Sequence, residues 1–237
     1  ITSSTTVTNA SNHTLYAHWT INKYPITLNM GTGISAVSGA GNYDYNSLRN
    51  INATVKPGYT WSKWTGYTTT TTQAYSFNMP AQSVTLTANA TGNPYSVVYN
   101  CNGGTGTRNA TSHVYGTSSA VSTNFCTNTG HSFSKWTTEQ NGNGTSVNSG
   151  ANVTGLTTAY NGTVTLYAQW IVNNYTVAYN CNNGSGATAS SSHTYGIYKN
   201  LTANGCTRPG HSFDGWTINS NGTGTVYGNQ QRFRTCG

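Results

Sequence analysis

Five cysteines, six histidines and three carboxylates are the residues through which this 237-residue chain could do chemistry. Acid–base catalysis needs paired groups, yet Asp44, Glu139 and Asp214 lie in separate stretches, each without a matching partner, so a glycosidase reading fails. His113 and His193, like His131 and His211, hold equivalent places in successive copies of a repeat and do not converge; they read as aromatic, partly buried packing residues. His13 and His18 flank a strand and read as exposed edge residues. No Gly-x-Ser-x-Gly elbow is present. The glycines of Gly103-Gly104-Thr105-Gly106 and Gly184-Ser185-Gly186 follow strands but precede neither a helix nor Lys-Ser/Thr, which makes them turn residues, not a phosphate cradle. The pattern names no catalytic group, no metal ligand and no cofactor site.

The cysteines carry the strongest local signal. Cys101 and Cys126 are spaced as Cys181 and Cys206 are, and the first copy of the repeat has Met30 and Thr54 at the matching places, so the two members of a pair are present or absent together. This predicts disulfides Cys101–Cys126 and Cys181–Cys206, each tying a first strand to the approach of an aromatic strand, and it implies an oxidising, extracytoplasmic setting. In the chain-entropy treatment a loop of this length contributes roughly 3 to 3.5 kcal/mol, a large share for a small unit. A metal site lacks its Cys-x-x-Cys spacing. Cys236 is left free, bonded between chains, or paired with a cysteine outside this stretch.

What must position these residues is a stretch that occurs three times: Pro57-Gly58-Tyr59-Thr60-Trp61-Ser62-Lys63-Trp64, Thr129-Gly130-His131-Ser132-Phe133-Ser134-Lys135-Trp136 and Pro209-Gly210-His211-Ser212-Phe213-Asp214-Gly215-Trp216. In each, a turn leads into alternating apolar positions that point to one face of a strand, with Trp61, Trp64, Phe133, Trp136, Phe213 and Trp216 as core aromatics. Tyr95, Cys101, His113, Gly116, Cys126, Gly130, His131 and Trp136 recur eighty residues later as Tyr175, Cys181, His193, Gly196, Cys206, Gly210, His211 and Trp216. The chain therefore divides into a trailing strand over 1–20, a divergent unit without cysteines over 21–92, a disulfide-bearing unit over 93–172 and an incomplete disulfide-bearing unit over 173–237, each full unit being about 70 to 80 residues. Asn93-Pro94 reads as a linker, and the segment 117–125 fits a strand or one helical turn equally.

Ten basic and three acidic residues are scattered among Thr, Ser, Asn and Gly. No polybasic stripe exists, so nucleic acid is not an expected partner, and no apolar run is long enough to span a membrane. Seventeen tyrosines spaced among Thr and Val read as strands, not disorder, giving a mainly β fold. They also exceed what three small cores require, which leaves exposed aromatic platforms for glycans or host proteins as an alternative function. Triplets such as Asn12-His13-Thr14, Asn109-Ala110-Thr111 and Asn161-Gly162-Thr163 permit glycosylation.

Tyr175-Thr176-Val177-Ala178-Tyr179-Asn180-Cys181-Asn182-Asn183-Gly184, the Thr207-to-Trp216 stretch and Thr163-Val164-Thr165-Leu166-Tyr167-Ala168-Gln169-Trp170 resemble the internalin B-type, or Listeria-Bacteroides, repeat over 95–237, with 24–90 similar to its divergent form. The resemblance implies small β-grasp-like tandem modules, an extracellular or cell-surface stalk, adhesion or assembly role, and no catalytic residues. The chain departs from the pattern in having His131 or His211 where a tyrosine is common, and in its last stretch from Val226. The closing strand Val164–Trp170 has a match in His13-Thr14-Leu15-Tyr16-Ala17-His18-Trp19, a candidate donor strand, while the third unit reaches Gly237 before its own closing strand. Two expectations follow: head-to-tail self-association by strand donation, or completion of both ends by adjoining repeats of a longer chain.

Overall fold

Apolar residues at every second position dictate strands, and every regular element of the computed structural model, which describes Thr6 and residues 11–235, is a strand. Two compact units are present, 1–91 and 92–237. The state of Cys236 lies outside the described residues.

The first unit contains β1 (Lys23–Met30), β2 (Ile34–Ser38), β3 (Gly41–Asp44), β4 (Leu48–Val55), β5 (Tyr59–Gly66), β6 (Tyr75–Asn78) and β7 (Val84–Gly92), the last running one residue past the unit boundary. One sheet has the order β3-β1-β7-β5 and the other β2-β4-β6. The first and last strands, β1 and β7, lie side by side and parallel, with Ile26 opposite Val84 and Leu28 opposite Leu86. A parallel pair cannot be closed by a hairpin, so the intervening strands form the connection. Val84, Leu86 and Ala88 are fully buried on alternate positions of β7 and meet Ile34, Ile51 and Ala53 of the second sheet in one core. Trp64 is wholly buried there, with its indole N–H donating to Gln73 O at 2.9 Å. Trp61 packs partly buried against the same core. Ahead of β1, residues 12–20 form no strand, so the strand expected over 13–19 is not formed, and Leu15, Tyr16 and Trp19 are strongly exposed.

The second unit holds two copies of the repeat. The first of them comprises β8 (Pro94–Asn100), β9 (Thr111–Val114), β10 (Ser119–Ala120), β11 (His131–Thr137), β12 (Ser146–Val147), β13 (Asn152–Val153) and β14 (Gly162–Val172). Its five-stranded sheet has the order β12-β11-β14-β8-β9. β14, the longest strand, runs parallel to β8 and antiparallel to β11, so it is held on both edges. Leu166, Ala168, Val97 and Trp136 are fully buried around it. The stretch 117–125 carries β10 and then irregular chain, with no helical turn. Asn93 and Pro94 make no free linker: Pro94 opens β8, and Asn93 is buried with its amide donating to Thr158 O at 2.8 Å.

The other copy has β15 (Asn174–Val177), β16 (Ser185–Gly186), β17 (Ser191–Thr194), β18 (Lys199–Asn200), β19 (Cys206–Thr207) and β20 (Arg232–Phe233). They pair only as β15-β17, β16-β19 and β18-β20. Residues 211–217, which match β11, form no strand, because the strand that would pair them to β15 has no counterpart among the described residues.

Candidate functional site

The structure joins Cys101 to Cys126 and Cys181 to Cys206, with Cα–Cα separations of 5.6 and 5.5 Å. In both copies the bond clamps the end of the first strand to the chain entering the aromatic stretch. Beyond Cys101 the backbone turns through Asn102 and Gly103, both at positive φ (48° and 89°), where asparagine and glycine are tolerated. This turn exposes two carbonyls on one side, and Trp170 of β14 caps them: its indole N–H donates to Cys101 O at 2.9 Å and to Asn102 O at 3.1 Å. In return the Asn102 side-chain amide donates to Ala168 O of β14 at 2.9 Å and to Gln140 O at 3.1 Å. The closing strand is thus latched by side-chain hydrogen bonds as well as by its two ladders.

The third copy keeps the latch without the strand. Asn182 sits at φ 47°, its backbone N–H donates to Asn180 Oδ1 at 2.8 Å as Asn102 does to Asn100 Oδ1, and its side-chain amide reaches Ser220 O at 2.8 Å. Tyr179 is held as Tyr99 is: Thr202 N–H donates to its hydroxyl at 2.8 Å, and the hydroxyl pairs with Ser191 at 3.1 Å. Between β15 and residues 211–217 lies a groove of about 960 Å³, walled by Val177, Tyr179, Phe213 and Trp216 and floored by the Cys181–Cys206 bond. It occupies the place that β14 fills in the copy before.

The aromatic residues register the difference. Phe133 packs on Trp136 at 5.0 Å and edge-on to Trp170 at 6.0 Å, whereas Phe213 keeps its contact with Trp216 at 4.9 Å but is 40% exposed. Trp136 is fully buried and donates to Ser122 O at 3.2 Å, yet the Trp216 indole nitrogen is buried with no hydrogen-bond partner. Such a group costs about 1 to 3 kcal/mol of desolvation.

The remaining candidates stay apart. Asp44 pairs with Lys23 at 3.3 Å in the first unit, Glu139 lies in a surface turn and Asp214 on the exposed rim of the groove. His113 stacks on Tyr95 at 5.3 Å and His193 on Tyr175 at 5.5 Å, each with Nε2 bonded to a hydroxyl, Thr111 or Ser191. Burial lowers the pKa of His113; burial, then the charge of Lys199, lowers that of His193. His131 instead meets Tyr195 of the next copy edge-on at 6.1 Å, beside Gly130, whose carbonyl accepts from Asn173 N–H at 2.8 Å. His211 is exposed. Among the described residues no three His, Cys, Asp or Glu side chains group closely enough to hold a metal ion, and no helix is long and apolar enough to cross a membrane. The asparagine latch and the inter-copy contact at Tyr195 escape a reading by residue type. The repeated Asn-Cys-Asn of Asn100-Cys101-Asn102 and Asn180-Cys181-Asn182 is the signal that marks the first of these.

Comparison with protein families matches residues 24–94 to the divergent InlB B-repeat domain, and residues 95–169 and 175–235 to the Listeria-Bacteroides repeat domain. Neither curated proteins nor solved structures give a match.

Proposed function

The chain belongs to the Listeria-Bacteroides repeat family, and from that premise we propose that it is a non-enzymatic extracellular structural protein, a stalk or filament element of bacterial-surface type. We read its divisions as a stretch over 1–20 that matches the closing strand of a repeat in sequence, a divergent module over 21–92, and disulfide-bearing modules over 93–172 and 173–237. Repeat arrays of this kind gain stability from neighbours and extend in one dimension, as the Gly130–Asn173 and His131–Tyr195 contacts between successive copies illustrate.

The observation that carries the reading is the pair of copies clamped by disulfides at the same place, one closed and one open along the same groove. The disulfides support an oxidising, extracellular location, and the reading adds assembly with neighbouring repeats, head to tail by strand donation. The scattered exposed rings of Tyr45, Tyr67, Tyr160 and Tyr198 support capture of glycans or surface proteins as the second reading. Protease treatment of intact cells tests location: degradation of the chain without lysis is expected, and full protection overturns an extracellular role. Electron microscopy of natively purified protein tests assembly, with linear polymers expected and uniform monomers against it. Saturable binding on a glycan array by monomeric protein would favour the adhesin.

A further inference from the structure

We propose that the two-stranded ribbon of β18 and β20 is a binding site for the sulfate or phosphate esters of an anionic polysaccharide, held by Arg232, Arg234 and Lys199 around Tyr198. Such a site deepens the glycan-capture reading, on which it rests, at one of its exposed rings, and it does not depend on strand donation.

Like charges repel, yet the fold gathers three of the chain's ten basic residues on this one ribbon. Lys199 pairs with Phe233 and Asn200 with Arg232 across it. Arg232 and Arg234 both lie over the Tyr198 ring, with Cζ 4.8 and 4.5 Å from its centroid. A guanidinium held against a ring engages its face, and the fork of N–H donors at its edge stays available for a bidentate oxyanion. Neither guanidinium has an ion pair or a side-chain hydrogen bond among the described residues. Lys199 gives one ammonium proton to Ser192 O at 2.8 Å and keeps two. Tyr198, Lys199, Arg232 and Arg234 are all exposed.

The preceding copy has the same ribbon without the charge. There β10 and β13 pair Ser119 with Val153 and Ala120 with Asn152, in the register of β18 and β20. Eighty residues before Tyr198, Lys199, Arg232 and Arg234 stand Ser118, Ser119, Asn152 and Thr154, all neutral. Ser118, Asn152 and Thr154 are exposed although β14 is in place, and their ribbon is a sheet apart from the five-stranded one. Exposure of this face is therefore a property of the repeat and not of an absent closing strand. The charge is what the third copy adds. Three cations on so short a ribbon match one or two ester oxyanions and not the continuous backbone track of a nucleic acid, and guanidiniums already cover the tyrosine where a base would stack. Ser192 and Asn200, exposed beside them, add neutral groups for sugar hydroxyls.

The test titrates the full chain by calorimetry with dextran sulfate, phosphorylated dextran, uncharged dextran and a poly(U) oligonucleotide, at about 0.15 M salt, where exposed charges more than ~8 Å apart are screened. Saturable binding of an anionic dextran is expected, and the tighter of the two identifies the ester. Arg232→Gln with Arg234→Gln should weaken it by at least about tenfold, the change that loss of one charge-assisted contact produces. Arg232→Lys with Arg234→Lys keeps the charge but loses the fork, and Tyr198→Leu removes the ring that holds it; each should weaken binding by about threefold or more. Lys56→Gln with Lys63→Gln removes the same charge from exposed positions of the first unit and should leave the affinity unchanged. No saturable binding of either anionic dextran, an equal loss in the Lys56 and Lys63 variant, full affinity in the double lysine variant, or tighter binding of poly(U) than of both dextran esters overturns the proposal. Binding of uncharged dextran alone overturns the oxyanion site and leaves the glycan-capture reading standing.

Discussion

Trp136 and Trp216 hold the same place in successive copies of one repeat, yet one is sealed in a core with its N–H bonded and the other stands half-buried with its N–H unpartnered. Their own stretches, His131 to Trp136 and His211 to Trp216, are near-identical in residue pattern. What separates them is β14, which pairs on both edges in the second copy and has no counterpart among the described residues at the groove of the third. The lesson is that a tryptophan in this repeat becomes a core residue only when the closing strand arrives. Burial here belongs to the assembly of strands and not to the residue.

The sharpest way to break that comparison is to truncate both tryptophans. Trp136→Ala should cost about 3 to 5 kcal/mol, as removal of a fully buried aromatic does, and Trp216→Ala less than half as much. Urea denaturation read by amide exchange over each copy separates the two; equal losses would mean that the third copy is already packed like the second. Next in size is the disulfide pair. Reduction should destabilise the second and third copies by roughly 3 kcal/mol each and leave the first unit unchanged, since Met30 there is 59% exposed and closes no loop. Free-thiol titration of the native chain checks the premise, and reactive thiols at Cys101, Cys126, Cys181 and Cys206 would contradict it.

A smaller effect isolates the latch. Trp170→Phe keeps the ring but removes the donor to Cys101 O and Asn102 O, and should lower the stability of the second copy by about 1 kcal/mol. Trp19→Phe should not change the unfolding of the first unit, because Trp19 is exposed and outside any strand there. A matching loss from both would dissolve the contrast between a docked and an undocked closing strand.

The smallest effect is acid sensitivity, expected in both copies through the same residue. His113 and His193 titrate below the ordinary value near 6.5 because they are buried. The unfolded chain therefore takes up protons first, so the stability these histidines contribute is complete above about pH 6.5 and falls as pH drops toward their folded pKa values. His113→Phe and His193→Phe should flatten the fall in Tm between about pH 7 and pH 5. An unchanged slope would remove both histidines as its cause.

Much of this was legible from residue types and spacing. Alternation marked the strands, since a half-buried strand must alternate, and co-occurrence paired the cysteines because a disulfide needs both partners or neither. The match between residues 14–19 and 165–170 marked two closing strands, of which only the second, in β14, forms in the folded chain. None of this says which strand lies beside which. Period two assigns a face but not a neighbour, so the parallel contact of β8 with β14, whose residues stand more than sixty positions apart, appears only in the folded chain. The same holds for the irregular 117–125 stretch, for Asn93 drawn onto Thr158, for Asn102 reaching Ala168, and for His131 meeting Tyr195 of the next copy. Each is set by hydrogen bonds and packing between segments distant in sequence. The exposure of Phe213 is the plainest case: its type and place mark it for a core, and only the tertiary structure, with no strand over it among the described residues, leaves it in solvent.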